Sequence, residues 1–228
     1  MKFYDLHVNP ENLGEIVKKA KVLGWSGLGV IFEWKGLKEL EKAKKEIEKY
    51  KKEIDIVLGV GIKTRKPGEI KEIAKKIRKR VELILVFGGD LKINRKAVEI
   101  REVDILANPE NEENSGLNHV MVKLAAENNV AIEFSFRKIL HSFGKTRAEN
   151  FNKFLTNAKL VRKYKAPFLI TSSAISQWDL RSPFDLLSFG KVLGFQDKEV
   201  KEALSDKIVK ENRKRLSEKW IMPGVEIE

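Results

Sequence analysis

The chain has 228 residues, no cysteine, and 45 Lys and Arg against 33 Asp and Glu, a formal charge of +12 at pH 7. Disulfides and thiolate metal sites are thereby excluded, as is a membrane-spanning helix, because no apolar run approaches the ~20 residues that a span needs. The length suits one domain with a sizeable core, the N-terminus runs straight into F-Y-D-L-H-V without a signal segment, and a soluble cytoplasmic protein is expected.

The positive excess attracts polyanions, with nucleic acid first among them. Enrichment in Lys, Glu and Ile without Cys is also what heat-adapted proteins show, which explains the density of charge but not its sign.

Phe3–Val8 reads as a first strand, and after Pro10 a helix places Leu13, Ile16, Val17 and Ala20 on one face. Gly27–Phe32 is the second strand. The next helix, from about Lys35 to Lys51, is expected to bury Leu37, Leu40, Ala43, Ile47 and Tyr50, while its other face alternates Lys and Glu as a solvated surface. Ile54–Ile62 is a near-continuous apolar run, as expected of a strand covered on both faces of a parallel sheet. From Lys63 to Arg80, nine Lys or Arg stand against Glu69 and Glu72, a net +7 over eighteen residues. A helix there keeps Ile70, Ile73, Ala74 and Ile77 for the core, so Lys63, Arg65, Lys71, Lys75 and Arg78 are expected to project outwards as phosphate contacts.

Glu82–Phe87 is the fourth strand. Gly88-Gly89-Asp90 reads as a turn, since no Gly-x-x-x-x-Gly-Lys or Gly-x-Gly-x-x-Gly surrounds it. A short helix, Lys92 to Ile100, leads into Asp104–Phe136, which reads as strand, Asn-rich loop, capped helix and strand: one βαβ unit. Either Asn114 or Ser115 is expected to cap this helix, with Leu117, Val120, Leu124 and Ala125 buried and His119, Lys123 and Glu127 opposite. Loops leaving the carboxyl ends of parallel strands carry ligand sites, which places Asn108 to Lys123 at or beside a working surface.

Beyond Phe136 the chain is basic at Arg137-Lys138, His141 and Lys145-Thr146-Arg147, and a long helix runs to about Tyr164. Phe168–Thr171 is the seventh strand, ending in Ser172-Ser173, which fit either a phosphate-binding corner or an ordinary turn. Ser182-Pro183-Phe184-Asp185 is a helix start with cap, proline and acid in the expected places. No eighth strand is visible, and Lys198–Lys219 reads as a charged helix with Val200, Ala203, Leu204, Ile208 and Leu216 as its apolar set. The alternation specifies an α/β protein: an irregular or incomplete TIM-type (β/α) barrel of about seven parallel strands over 1–195. A charged helical C-terminal extension over 196–228 packs on the barrel or on a partner.

Four stretches carry a family resemblance: D-L-H-V at Asp5–Val8, G-L-N-H-V-x-x-K-L-A-A-E-N-N-V-A-I-E-F-S at Gly116–Ser135, I-T-S-S-A at Ile170–Ala174, and R-S-P-F-D-L-L-S-F-G-K-V-L-G at Arg181–Gly194. From residue 3 to about Gly194 the sequence resembles the protein component 3 family of archaeal ribonuclease P, homologous to the thirty-kilodalton eukaryotic subunit. The resemblance implies a distorted TIM-type barrel and a protein cofactor of the endoribonuclease that removes 5′ leaders from precursor tRNA. Catalysis and its Mg²⁺ requirement then belong to the RNA subunit, and no cofactor is expected on this chain. The implied partners are the ribonuclease P RNA, protein component 2 in a heterodimer or heterotetramer, the other ribonuclease P proteins, and precursor tRNA through the holoenzyme.

Phosphoesterases of the polymerase-and-histidinol-phosphatase class, which component 3 resembles in architecture, open with two His separated by one residue. Here His7 is followed by Asn9 at the second position, and His119 and His141 stand in unrelated contexts. A hydrolytic metal site needs several His and carboxylates on one face. A Gly-x-Ser-x-Gly nucleophile motif is also missing. A free-standing metal-dependent phosphoesterase is therefore the alternative reading, and no catalytic or metal-binding residue is assigned. His7 and Asp5 are expected to form a hydrogen-bonded pair on the rim. Lys63, Arg65, Lys123, Arg137, Arg181 and Lys191 are expected at RNA phosphates, with Asn108, Asn118, His119 and Ser172 shaping the same rim. Asp185 is accounted for by the helix start, and Asp179 either orients Arg181 or accepts from a protein partner.

Overall fold

Strand and helix alternate in the order β1 (Tyr4–Val8), α1 (Leu13–Leu23), β2 (Gly27–Glu33), α2 (Leu37–Glu48), β3 (Asp55–Ile62), α3 (Pro67–Ile77), β4 (Leu83–Phe87), α4 (Leu91–Val98) and β5 (Ile105–Ala107). There follow α5 (His119–Asn128), β6 (Ala131–Ser135), α6 (Phe136–Leu140), α7 (Gly144–Tyr164), β7 (Phe168–Thr171), α8 (Pro183–Val192), α9 (Asp197–Ala203) and α10 (Lys207–Leu216). A short antiparallel pair, β8 (Trp220–Met222) and β9 (Val225–Glu226), comes last. This computed structural model describes residues 2–217, and only the backbone of 220–222 and 225–226. Among the described residues no helix is long and apolar enough to cross a membrane.

Strands β1 to β7 pair parallel in sequence order. The first and last strands nearly complete the circle. Val8 forms a parallel bridge with Ala174, where the Asn9 amide donates to the Ala174 carbonyl at 2.8 Å. At the opposite end the Tyr4 amide donates to the Leu204 carbonyl, also at 2.8 Å. Two short pieces of irregular chain thus satisfy the backbone groups that an eighth strand would take, which is how seven strands avoid an open edge. The expected irregular TIM-type barrel with helices after its strands is the fold observed.

The barrel lumen is filled by Tyr4, Leu6, Ile31, Val57, Leu83, Leu85, Ile105 and Leu169, a layer distinct from the larger apolar core between strands and helices. Glycines on β2 make room for it: a Cβ on Gly29 would stand 2.7 Å from the Leu6 carbonyl oxygen, and one on Gly27 would enter the Tyr4 ring. In the outer core, Leu40, Ala43 and Ile47 of α2 and Ile70, Ala74 and Ile77 of α3 are buried as their spacing predicts. Helix α2 is shorter than expected, ending at Glu48, and Leu37 and Tyr50 are only half-buried.

The amino end of the barrel is plugged by α10. Val209 and Asn212 are its buried residues, and the Asn212 amide donates to the Glu82 carbonyl (2.8 Å) and to Asp104 Oδ1 (3.0 Å). Arg213 reaches both oxygens of Asp55 and one of Glu82, and Asp55 in turn accepts from the Tyr4 hydroxyl at 2.6 Å. The expected single charged helix from Lys198 to Lys219 is in fact two, α9 and α10, broken at Leu204–Ser205 where the chain bonds to β1; Lys219 lies outside the described residues.

Candidate functional site

At the carboxyl ends of the strands the barrel opens into a cavity of about 790 Å³, lined among others by His7, Phe87, Asn108, Ser135, Arg137 and Ser173. Its floor is a polar knot. The register of β1 slips between Asp5 and Val8, a bulge that sets the His7 ring over the lumen. There His7 Nδ1 lies 2.6 Å from Glu133 Oε1, and the same carboxylate oxygen accepts from the Thr171 hydroxyl at 2.6 Å and the Ser173 hydroxyl at 3.3 Å. Burial opposes charge on the imidazole, but the Glu133 carboxylate outweighs it and holds the His7 pKa above its ordinary value. Burial likewise opposes charge on Glu133, and His7, Thr171 and Ser173 together hold its pKa below the usual range.

Asp5 does not share this knot. Its carboxylate is fully buried beneath it, accepting from the Ser172 amide at 3.2 Å and, more weakly, from the His7 amide at 3.4 Å. The expected rim pair of Asp5 and His7 is therefore corrected: Asp5 accepts from the His7 backbone amide below the rim, and the His7 ring pairs with Glu133, 126 residues away. A charged residue inside an apolar strand, A-I-E-F-S, was the available signal.

Around the knot the rim mixes cations, Lys35, Lys42, Arg137 and Lys138, with the carboxylates of α2 and the neighbouring loops, and part of that charge is held in place. Lys138 donates to the buried Glu110 side chain at 3.0 Å. Asp179 gathers the Ile175 and Ser176 amides (3.0 and 3.1 Å) and His141 Nε2 (2.6 Å), with Arg137 Nε 3.5 Å away. Burial works against charge on Asp179, yet these donors hold its pKa below the usual range. Asp179 does not touch Arg181, whose guanidinium instead donates to the carbonyls of Trp178 and Leu180 at 2.8 Å.

The remaining residues expected at RNA divide by position. Lys63, Arg65, Lys71 and Lys75 are exposed on the β3–α3 loop and the outer face of α3, with no ion-pair partner among the described residues. Arg78 departs from the expected outward projection: it turns under the barrel and donates to Asp104 Oδ2 (2.6 Å) and to the carbonyls of Glu102, Val81 and Glu82 (3.1 Å each). Asn108 lines the cavity with a left-handed backbone, φ 47°. Asn118, not Asn114 or Ser115, caps α5, accepting from the Met121 amide at 2.9 Å. Moving the cap three residues on also shifts the buried stripe to Met121, Val122 and Ala125 and leaves Val120 exposed. His119 is exposed at the start of α5, and Lys123 stands on the outer wall 5.4 Å from the Tyr164 ring centroid. Ser172 is fully buried and accepts from the Ala174 amide, so Ser173 is the serine that reaches the cavity. Lys191 sits 3.5 Å from Asp197 on the outside of α8.

Most asparagines of the β5–α5 loop hold the loop itself. Asn111 Oδ1 accepts from the Glu113 and Asn114 amides, Asn114 Oδ1 from Gly116, and the Asn111 amide group donates to the Gly89 carbonyl. Asn94 of α4 staples the loop from below through the carbonyls of Pro109 and Gly116. Among the described residues no group of three or more His, Asp or Glu is gathered as a metal site would require. Asn9 uses its side chain to accept from the Glu11 amide at 2.8 Å, a turn ahead of α1.

Comparison with known proteins gives the context. The family model described as RNase P subunit p30 matches residues 2–217, well past the Gly194 limit expected from the motifs alone. Ribonuclease P protein component 3 of Methanosarcina mazei is 33% identical over 99% of this chain and 95% of its own length. That of Methanocaldococcus jannaschii is 35% identical over 81% and 80%. A chain in the cryo-EM structure of archaeal ribonuclease P with mature tRNA superposes with a TM-score of 0.83 at 33% identity, covering 97% of this chain and 96% of that one. Histidinol phosphate phosphatase of Lactococcus lactis and A. niger ochratoxinase share the barrel alone, with TM-scores of 0.55 and 0.61 at 11% and 9% identity. A plugged seven-stranded barrel with these motifs, matched along nearly its whole length, belongs to the RNase P subunit p30 family.

Proposed function

We infer that this chain is the component 3 subunit of an archaeal-type ribonuclease P, and that its contribution is to bind and support RNA. The observation that carries the reading is the near full-length correspondence, at one-third identity, to a chain of archaeal ribonuclease P with tRNA bound. The physical arrangement fits. Lys63, Arg65, Lys71 and Lys75 present exposed cations on one side of the barrel, the pattern by which proteins neutralise phosphates. Chemistry then resides in the RNA subunit with Mg²⁺, and protein component 2 is the proposed neighbour.

The phosphoesterase reading draws less support. His7 is committed to Glu133, the second histidine of the hydrolase pattern is Asn9, and the likeness to the phosphatase is one of fold alone. The test is cleavage of precursor tRNA by ribonuclease P RNA and component 2, with and without this chain, beside the chain alone in Mg²⁺ or Mn²⁺. Cleavage that appears, or needs less Mg²⁺, only when RNA and chain are combined is expected. Hydrolysis by the chain alone would overturn the reading.

A further inference from the structure

Two aromatic rings near the barrel mouth have no role in the core. Phe143 is 75% exposed and Trp178 is 73% exposed, although both belong to loops that are otherwise tightly held. Phe143 lies two residues after His141 and Trp178 one before Asp179, the pair whose 2.6 Å bond ties the post-β6 and post-β7 loops together. The Trp178 loop is fixed on both sides of the ring. Asp179 collects the Ile175 and Ser176 amides, and Arg181 grips the Trp178 carbonyl itself. Leaving a large ring in water on a held loop forgoes the free energy of its burial.

The surroundings define what such rings meet. Arg147 lies 5.2 Å from the Phe143 ring centroid, Arg137 and His141 both approach Asp179, and Arg181 bonds to the Trp178 carbonyl. Against Arg137, Lys145, Arg147 and Arg181 stand the carboxylates of Asp179, Glu149 and Asp185, of which Asp179 is held by His141 and Glu149 by Lys145. The cations are therefore in slight excess. A partner here must offer flat π faces and negative charge together, which unpaired nucleotides do and an apolar protein surface does not.

We propose that Phe143 and Trp178 form a stacking platform for unpaired bases of an RNA strand whose phosphates pass over Arg137, Arg147 and Arg181. The proposal rests on the RNA-binding reading above and deepens it: the phosphate contacts supply sequence-independent attraction, and the rings select single-stranded over helical RNA. Loops and bulges of a folded RNA are the ligand class that fits.

The test uses the full chain with two RNA probes, an unstructured oligouridylate of ten nucleotides and a perfect RNA duplex of equal length, beside ribonuclease P RNA. Binding of the single strand should quench part of the tryptophan emission in the parent, and that part should be lost in Trp178→Phe, which keeps a ring but removes this one of the four tryptophans. Trp178→Ala and Phe143→Ala should each weaken single-strand binding by on the order of tenfold, leave duplex binding unchanged, and keep the salt slope intact because every phosphate-binding cation is still present. Trp178→Phe should retain most of the affinity. Equal single-strand affinity in the parent and both alanine variants would overturn the platform while leaving the phosphate reading standing. Binding of neither probe nor of ribonuclease P RNA by the parent would overturn both. Unchanged RNA affinity together with failure to bind protein component 2 would reassign the rings to a protein interface and sink the proposal.

Discussion

Arg78 provides the sharpest check on how the basic helix is divided between structure and function. Its guanidinium makes four intramolecular hydrogen bonds, one of them to the carboxylate of Asp104, and the two side chains are 16% and 6% exposed. Removing one partner of a buried pair costs about 3–5 kcal/mol, since a charge is left in a poor dielectric. Asp104 retains the Ile84 amide at 2.7 Å and the Asn212 amide at 3.0 Å, which puts Arg78→Leu at the lower end, about 3 kcal/mol. In a domain of this size that corresponds to a fall in Tm of roughly 6–12 °C. Adding Asp104→Asn removes the stranded charge and should recover part of the loss, a coupling that two independent substitutions would not show. Thermal or urea unfolding of the parent, the two single variants and the double variant gives the comparison, with the salt dependence of RNA binding measured on the same proteins. Arg78→Leu should leave the salt slope unchanged. A Tm within about 2 °C of the parent, together with a salt slope flatter by roughly 0.7–0.9, would refute the structural assignment and return Arg78 to the phosphate surface.

Lys63→Ala, Lys71→Ala and Lys75→Ala combined should do the reverse, leaving Tm unchanged while lowering the salt slope of RNA binding by roughly 0.7–0.9 for each phosphate no longer neutralised, measured by filter binding across salt concentrations. Gly116 has φ 76°, and a Cβ there would stand 1.7 Å from the Pro109 carbonyl oxygen, so Gly116→Ala should unravel the β5–α5 loop and lower Tm; circular dichroism melts decide, and a melt matching the parent would contradict the geometry. Burial raises the Asp5 carboxyl from 3.8 to about 6, against the opposing pull of the Ser172 and His7 amides. The folded protein therefore binds this proton more tightly than the unfolded chain does. The contribution is fully present below about pH 4 and is lost as pH rises through about 6, a decline on the order of 3 kcal/mol. Urea titrations at stepped pH should show that decline in the parent and a flatter profile in Asp5→Asn, and identical profiles would rule it out.

What the sequence discloses and what it conceals follow from the range of the interactions. The order of β1 to β7, the apolar faces of α1 and α3 and the capping box of Ser182 and Asp185 are set within a few residues and are seen as expected, whereas α6, the break between α9 and α10 and the β8–β9 pair are not. The α5 cap falls later than expected because Asn114, Ser115 and Asn118 are chemically equivalent at short range, and only the staple from Asn94 to the Gly116 carbonyl decides which of them opens the helix. The His7–Glu133 pair and the turning-under of Arg78 join residues brought together by barrel closure, so local spacing does not name the partners, although the lone acid in A-I-E-F-S signals that Glu133 needs one. Ser172 and Ser173 are adjacent and alike in type, yet the positive φ of Ser173 sends one hydroxyl to the cavity and the other into the wall.

The plug at the amino end also governs the order in which this protein can be completed. Arg213 meets Asp55 across 158 residues of chain, and Asn212 meets Asp104 across 108. On a ribosome, β3, β4 and β5 emerge long before α10, so Asp55, Glu82 and Asp104 stand at the base of an unfinished barrel until Asn212 and Arg213 arrive. Contacts of such separation are slow to form, because the chain entropy of closing the loop comes before any reward. The docking of α10 thus follows the closure of the strands it plugs, and a nascent chain halted before Asn212 leaves Asp55 and Glu82 without the donors that α10 supplies.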